Sequence, residues 1–222
     1  SKAIRERKKT GTVILISEEP YRTYNRPMLT KTMLADLSAD QIAVEPESWY
    51  EENQVYQMLG KRVVSVDMEN SQVTLDDGSN IHFTRLIYAL GSECFIPPIK
   101  GSDREQVVAI RRMADVEKLS GLLGHTRNAV VIGGGVLGLE AAWELKKAGL
   151  RVTVLEAAPM LMGRQLDATA GTILKEIVEK NGIPIHTGVT IESIDAVECG
   201  AVSGVTLQSG EFSPAELVII SA

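Results

Sequence analysis

NAVVIGGGVLGLEAAWELKKAGLRVTVLE, running from Asn128 to Glu156, decides how the rest of the 222-residue chain is read. Ala129 to Ile132 form a short apolar run of mostly branched side chains, the pattern of a parallel strand covered on both faces. Gly133, Gly135 and Gly138 then supply GxGxxG. In that spacing the first glycine makes a tight turn, the second lets backbone approach a pyrophosphate, and the third permits close packing of helix on strand. Leu139 to Lys147 are good helix formers, and Gly149 punctuates their end. Arg151 to Leu155 read as a second strand closed by Glu156, 18 residues after Gly138. Strand, glycine turn, helix, strand and acid in this order point to a dinucleotide. A carboxylate in that place accepts hydrogen bonds from an adenosine ribose and repels a 2′-phosphate, so NAD is expected over NADP. The pyrophosphate is expected at the helix N-terminus, near the backbone N–H groups of Val136 and Leu137.

Bulk properties narrow the reading. The chain is long enough for one large or two modest α/β domains. Its 23 basic and 29 acidic residues leave a net charge of -6, which implies no attraction to nucleic acid or anionic membrane. The basic cluster Arg5, Arg7, Lys8 and Lys9 reads as the solvated end of a helix. No apolar run approaches the roughly 20 residues of a membrane span and no signal peptide is evident, so a cytoplasmic location is expected. Cys94 and Cys199 are too far apart for a CxxC pair and read as buried thiols. His82, His125 and His186 are equally scattered and read as surface or strand-end residues.

Taken in order, Lys2 to Lys9 look like the last turns of a helix ended by Gly11. Thr12 to Ile16 form a strand that finishes at Glu18 and Glu19. This is the second half of another strand, helix, strand, acid unit, and the chain is expected to have been cut from a longer one. Pro20 to Lys31 read as a loop whose prolines and aromatics suit neither helix nor central strand, followed by Met33 to Leu37 and an acidic stretch around Glu45 to Glu52. Tyr56 to Leu59, Arg62 to Met68, Gln72 to Leu75 and Ile81 to Phe83 read as an antiparallel meander with a hairpin signal at Asp77 and Gly78. Arg85 to Leu90 read as a further buried strand. Toward the end, Ala168 to Lys180 have helical amphipathicity, Gly182 to His186 read as a strand, Val189 to Leu207 as a meander, and Glu216 to Ala222 as a last buried strand.

Three stretches carry a family resemblance. TRLIYALGSECFIPPIKG, Thr84 to Gly101, resembles the mid-chain segment of pyridine nucleotide-disulfide oxidoreductase-type flavoproteins, a strand followed by ATG and a proline-rich turn; Leu90 stands where that pattern has threonine. PYRTYNRPMLTK, Pro20 to Lys31, is similar to the PYxRPPLSK loop of the ferredoxin and rubredoxin reductase branch. APMLMGRQLD, Ala158 to Asp167, resembles the NADH-binding part of rubredoxin reductases and of nitrite reductase large subunits. The resemblance implies a Rossmann-like three-layer FAD/NAD(P)-binding fold of class α/β, with two domains that each hold a parallel sheet and a small antiparallel meander. A partial FAD domain over residues 1–103 and an NAD domain over 104–222 are expected, with both flanking FAD half-sites outside the chain.

The same resemblance implies the chemistry. The cofactors are FAD and NAD, with hydride passing from NADH to flavin. Lys31 is expected beside the flavin, paired with Glu140 two residues beyond the last fingerprint glycine. The alternative leaves Lys31 solvated and gives Glu140 only a helix N-terminus to complement, worth about 0.3–1 kcal/mol. Glu18, with Glu19 as substitute, is expected on the FAD ribose, Arg26 and Arg111 on flavin or phosphate, and Val63 on adenine through its backbone. Ala89 and Gly91 belong to the mid-chain flavin segment. Arg26 to Leu34 hold no cysteine, and Cys94 is expected to have no flavin-side role. Electrons would therefore leave one at a time to a small iron-sulfur protein such as rubredoxin or ferredoxin, or to an appended redox domain; a homodimer is a further expected assembly. The competing reading is an NADH-binding sensing or dimerisation module without flavin turnover.

Overall fold

The computed structural model describes residues 1–8, 10–32 and 37–221, with only the backbone of Thr32. Lys9, Met33 to Asp36 and Ala222, which figure in the sequence reading, lie outside the described residues. The chain divides into two compact units. One holds Ser1–Asn25 and Leu37–Ser92; the other holds the Arg26–Thr32 segment and everything from Glu93 onward. The boundary by contact thus falls at Ser92 rather than near Asp103.

The chain opens with α1 (Lys2–Arg7) and β1 (Val13–Ser17). Arg5 is not solvated as its basic cluster suggested but only 6% exposed. Its guanidinium donates to the carbonyls of Gly11, Asn53 and Gln54. A long apolar stem and a rigid fork of donors let an arginine close chain ends that a lysine would leave unsatisfied. A 3-10 turn over Arg26–Met28 and the one-turn helix α2 (Leu29–Thr32) replace the expected loop, and both belong to the second unit. Pro27 is tolerated because the first turn of a helix needs no N–H at that point.

In the first unit α3 (Glu47–Glu52) leads into β2 (Val55–Leu59). This strand pairs in parallel with β1, Val13 opposite Val55 and Ser17 opposite Leu59, so Tyr56 to Leu59 do not start the meander as expected. Alternating strand and turn signals do not distinguish a hairpin partner from a distant parallel one. Here the buried Tyr50 of α3 and Val55 of β2 mark the helical crossover that parallel pairing needs. The meander consists of β3 (Val63–Asp67), β4 (Gln72–Leu75) and β5 (Asn80–His82), with Val73 and Leu75 in its core. Its β4–β5 turn carries Gly78 at φ 82°. Arg85 to Leu90 do not form the expected buried strand: they have no regular structure, and Leu90 is 84% exposed. Apolar composition alone makes no strand; backbone groups need a neighbour to pair with, and none of the described strands runs beside this segment.

The second unit continues with β6 (Val107–Val108), α4 (Met113–Leu123), β7 (Asn128–Ile132), α5 (Val136–Lys147) and β8 (Arg151–Glu156). Next come α6 (Ala168–Lys180), β9 (Ile185–Thr187), the meander β10 (Ile191–Ala196), β11 (Val202–Leu207) and β12 (Phe212–Pro214), and finally β13 (Leu217–Ile220). Five strands form one parallel sheet in the order β6-β13-β7-β8-β9, so β13 enters between β6 and the glycine-turn strand β7. Val130, Ile132, Leu155, Val218 and Ile220 of the sheet join Ile194, Val202, Val205 and Leu207 of the meander in one buried cluster. Each fully buried branched side chain there contributes about 1.5–3 kcal/mol.

Glu216 ties β13 to β7: its carboxylate accepts hydrogen bonds from the backbone N–H groups of Arg127 and Asn128 and from the Asn128 side chain. Burial pushes this carboxyl up, but those donors outweigh it and hold it below the usual range. Among the described residues no helix is long and apolar enough to cross a membrane. Cys199 is exposed in the β10–β11 turn rather than buried, and Cys94 is half-buried.

Candidate functional site

The glycine turn lies between the C-terminal end of β7 and the N-terminus of α5, the place where parallel α/β sheets hold ligands. Gly133 has φ 115°, a left-handed value that strains any side chain. Gly138 faces it from the first turn of α5: a Cβ there would stand 2.0 Å from the Gly133 carbonyl oxygen. Those two glycines fix how close helix and strand approach. Gly135, by contrast, caps the helix in extended geometry, and an added Cβ would meet nothing within 4 Å. Open space at the middle glycine is what a pyrophosphate approaching the backbone requires. Val136 and Leu137 follow with exposed side chains, and their first-turn N–H groups have no acceptor within the helix.

Glu156 ends β8, the parallel neighbour of β7. Its Oε2 accepts from Gly134 N–H at 2.5 Å and its Oε1 from Ala158 N–H at 2.6 Å, so the acid expected at the ribose staples the turn. Gly134, a spacer in the fingerprint pattern, is thereby a site residue the sequence reading passed over. A Cβ on it would lie 2.5 Å from Leu161 Cδ2 and 3.1 Å from Glu156 Oε2. Leu161 is fully buried and Met162 N–H donates to the Gly134 carbonyl at 3.1 Å. The Ala158 to Asp167 stretch therefore clamps the turn, and Asp167 ends it by capping α6 through Ala170 N–H.

A cavity of about 280 Å³ opens beside the turn, lined in part by Gly135, Val136, Leu137, Thr30, Cys94 and Gln165. Lys31 does not pair with Glu140: the lysine is exposed, and the Glu140 carboxylate accepts instead from the buried Thr30 hydroxyl at 2.9 Å. On the one-turn helix α2 the buried Thr30 reaches α5, whereas Lys31 is exposed. Arg26 and Arg111 are brought together, through the Arg26 guanidinium donating to the Arg111 carbonyl at 2.7 Å. The N–H groups of Arg111 and Arg112 both donate to Asp115, which anchors that carbonyl to the start of α4. Cys94, for which no flavin-side role is expected, lines the cavity. Burial and then the charge of Asp115 push its thiol up.

The remaining expected residues lie in the first unit. Glu18, just past β1, is exposed and 3.1 Å from Arg62. Glu19 accepts from the Tyr24 hydroxyl at 2.6 Å, which makes it the less available of the two acids. Val63 opens β3 opposite Leu75. Ala89 and Gly91 are exposed, with Gly91 at φ 73°. No GxGxxG occurs among residues 1–92. What this unit offers toward FAD is an acid at the end of a parallel strand and a left-handed glycine turn, which fit a ribose and a close backbone approach.

A parallel sheet with an open glycine turn, a helix N-terminus and an acid on the next strand defines a dinucleotide-binding α/β protein. The chain matches the pyridine nucleotide-disulphide oxidoreductase family over residues 1–222 and belongs to it. It is 37% identical over 209 residues to a nitrite reductase [NAD(P)H] of Bacillus subtilis, covering 94% of this chain and 26% of that protein. It is 34% identical over 211 residues to a rubredoxin-NAD(+) reductase of Pseudomonas putida, covering 95% and 54%. The crystal structure of a ferredoxin reductase from Rhodopseudomonas palustris superposes with a TM-score of 0.93 at 27% identity, over 100% of this chain and 55% of that one. The chain thus spans about half the length of the two reductases and about a quarter of the nitrite reductase.

Proposed function

We propose that this chain is the central portion of an NADH-dependent FAD oxidoreductase, which hands electrons to a small carrier such as rubredoxin or ferredoxin or to an appended redox domain. The observation that carries the reading is the open Gly135 turn with Glu156 on the adjoining parallel strand. The names of the relatives at 34% and 37% identity support the direction of electron flow. FAD, when bound, takes the reducing equivalents of NADH as a pair and releases them singly.

The chain's own residues bind and orient. Glu156 receives the adenosine ribose of NADH, the N–H groups at Val136 and Leu137 its pyrophosphate, and Gly133, Gly135 and Gly138 the backbone geometry between them. Glu18 serves the FAD ribose, Val63 its adenine, and Ala89 and Gly91 the approach of backbone to flavin. Arg26 and Arg111 serve flavin or phosphate. Lys31 and Glu140 flank the reacting rings from the two sides of the nicotinamide pocket. The lack of cysteine between Arg26 and Leu34 and the raised thiol of Cys94 favour outward transfer over a redox dithiol. The proposal sets the reaction in the cytoplasm, with a homodimer as the assembly to test.

Reduction of rubredoxin or ferredoxin by the full-length protein tests it. NADH should drive the reaction with a kcat/KM at least about tenfold above that for NADPH, the worth of one charge-assisted hydrogen bond. NADH consumption with no carrier reduced moves the acceptor to an appended domain. No NADH consumption with any acceptor overturns the proposal.

A further inference from the structure

In the first unit β2 (Val55–Leu59) pairs with β1 along one edge, and among the described residues no backbone hydrogen bond leaves it on the other. A strand paired on one side keeps a free N–H and C=O at every second residue, a template that proteins usually blunt with lysine, proline or a bulge. None of these is present: the five residues are uncharged, and their register with β1 is unbroken. The edge is instead set in a groove of about 680 Å³. Successive residues of a strand point to opposite faces, so a groove that touches Val55, Tyr56 and Gln57 in turn runs along the edge and not over one face. Its lining belongs wholly to the first unit and includes none of the residues proposed for FAD or NADH.

The walls of this groove are acidic and aromatic. Arg22 is bonded to Asp40 at 2.8 Å and acts on Glu47 only from a distance. Glu47 and Glu51 line the groove from exposed positions of α3 with no ion pair among the described residues. They stand four residues apart on one helix, where like charges repel, and a cation between them relieves the repulsion. Tyr56, 61% exposed, lines the same groove, and a tyrosine ring attracts a guanidinium. Gln57 adds an acceptor: its Oε1 is buried without a partner among the described residues, and a donor on an incoming strand would satisfy it.

We infer that this groove binds an extended, arginine-bearing segment of a partner protein, which adds to β2 as a further strand and sets its basic side chains against Glu47 and Glu51. Main-chain bonds to the edge supply affinity, and the acids choose the sequence. A small cation would meet the acids and leave the edge unused. A second copy of this chain adding its own β2 would bring acids against acids. The inference does not depend on the dinucleotide reading.

The test is fluorescence anisotropy of a labelled, capped hexapeptide of alternating arginine and valine, titrated with the full-length protein. Five strand residues span about 17 Å, which a peptide of this length covers. Saturable binding is expected, weakened at least about tenfold in the double variant Glu47→Gln, Glu51→Gln, whose NADH binding should stay as in the wild type. Two further peptides, N-methylated at the odd or at the even residues, read the edge itself. One should lose binding and the other keep it, because only every second residue faces β2. No binding, or equal binding of a glutamate and valine peptide, overturns the inference. So does unchanged affinity in the double variant, which places the peptide elsewhere. Equal affinity of the two methylated peptides, or displacement by spermidine at the peptide's own concentration, marks a site for charge alone and also overturns it.

Discussion

Glu156 holds the glycine turn and is also the acid proposed for the ribose, two tasks that substitution will not separate cleanly. Both of its oxygens already accept backbone N–H groups, from Gly134 and from Ala158, and hydrogen bonds to a charged acceptor are worth about 1.5–3 kcal/mol each. Glu156→Ala should therefore weaken NADH by at least about tenfold through ribose contact and turn geometry together. Adding Ala157→Arg, at an exposed position on the same turn, should shift the preference toward NADPH while leaving both cofactors weaker than NADH on the wild type. Binding titrations with the two nucleotides measure this directly. An unaltered NADH affinity in Glu156→Ala would mean that the carboxylate serves the turn alone. Gly134 shows why the residue scale was only partly legible. The spacing of Gly133, Gly135 and Gly138 identifies a fingerprint, but nothing in it says that the spacer's N–H will meet an acid 22 residues later.

Among elements, two carboxylates reinforce the strand ladders of the second unit. Glu216 links the start of β13 to the start of β7. Asp195 of β10 is held below the usual carboxyl range by the hydroxyls of Thr206, on β11, and Ser193. Both groups have folded pKa values lowered from reference values of 4.5 and 3.8, so their stabilisation is complete above about pH 4.5 and is lost as pH falls through the folded values. Urea midpoints should fall steeply below about pH 4.5 in the wild type and less steeply in Glu216→Gln, which should also cost about 1–3 kcal/mol near neutral pH. Equal acid sensitivity in the two proteins would remove Glu216 from this account.

Periodicity found the elements whose environment is local: β7, α5, β8 and the 13-residue α6 stand where it put them. It failed where pairing is decided at long range. Tyr56 to Leu59 pair in parallel with β1, Arg85 to Leu90 have none of the described strands beside them, and β6 is two residues paired with β13. Arg5 and Thr30 belong with these, because their partners at Asn53 and Glu140 are invisible to any local window.

For the whole molecule, the chain belongs to the pyridine nucleotide-disulphide oxidoreductase family, and its two units carry different features. One carries the complete dinucleotide turn; the other carries an acid and a left-handed glycine turn suited to a second nucleotide. The chain spans about half the length of its reductase relatives. The decisive measurement is therefore the visible spectrum of the full-length protein before and after anaerobic NADH. A yellow flavin spectrum that bleaches on addition of NADH, and far more slowly with NADPH, is the predicted result. A colourless protein that binds NADH unchanged would contradict the account and leave a nucleotide-binding module without flavin chemistry.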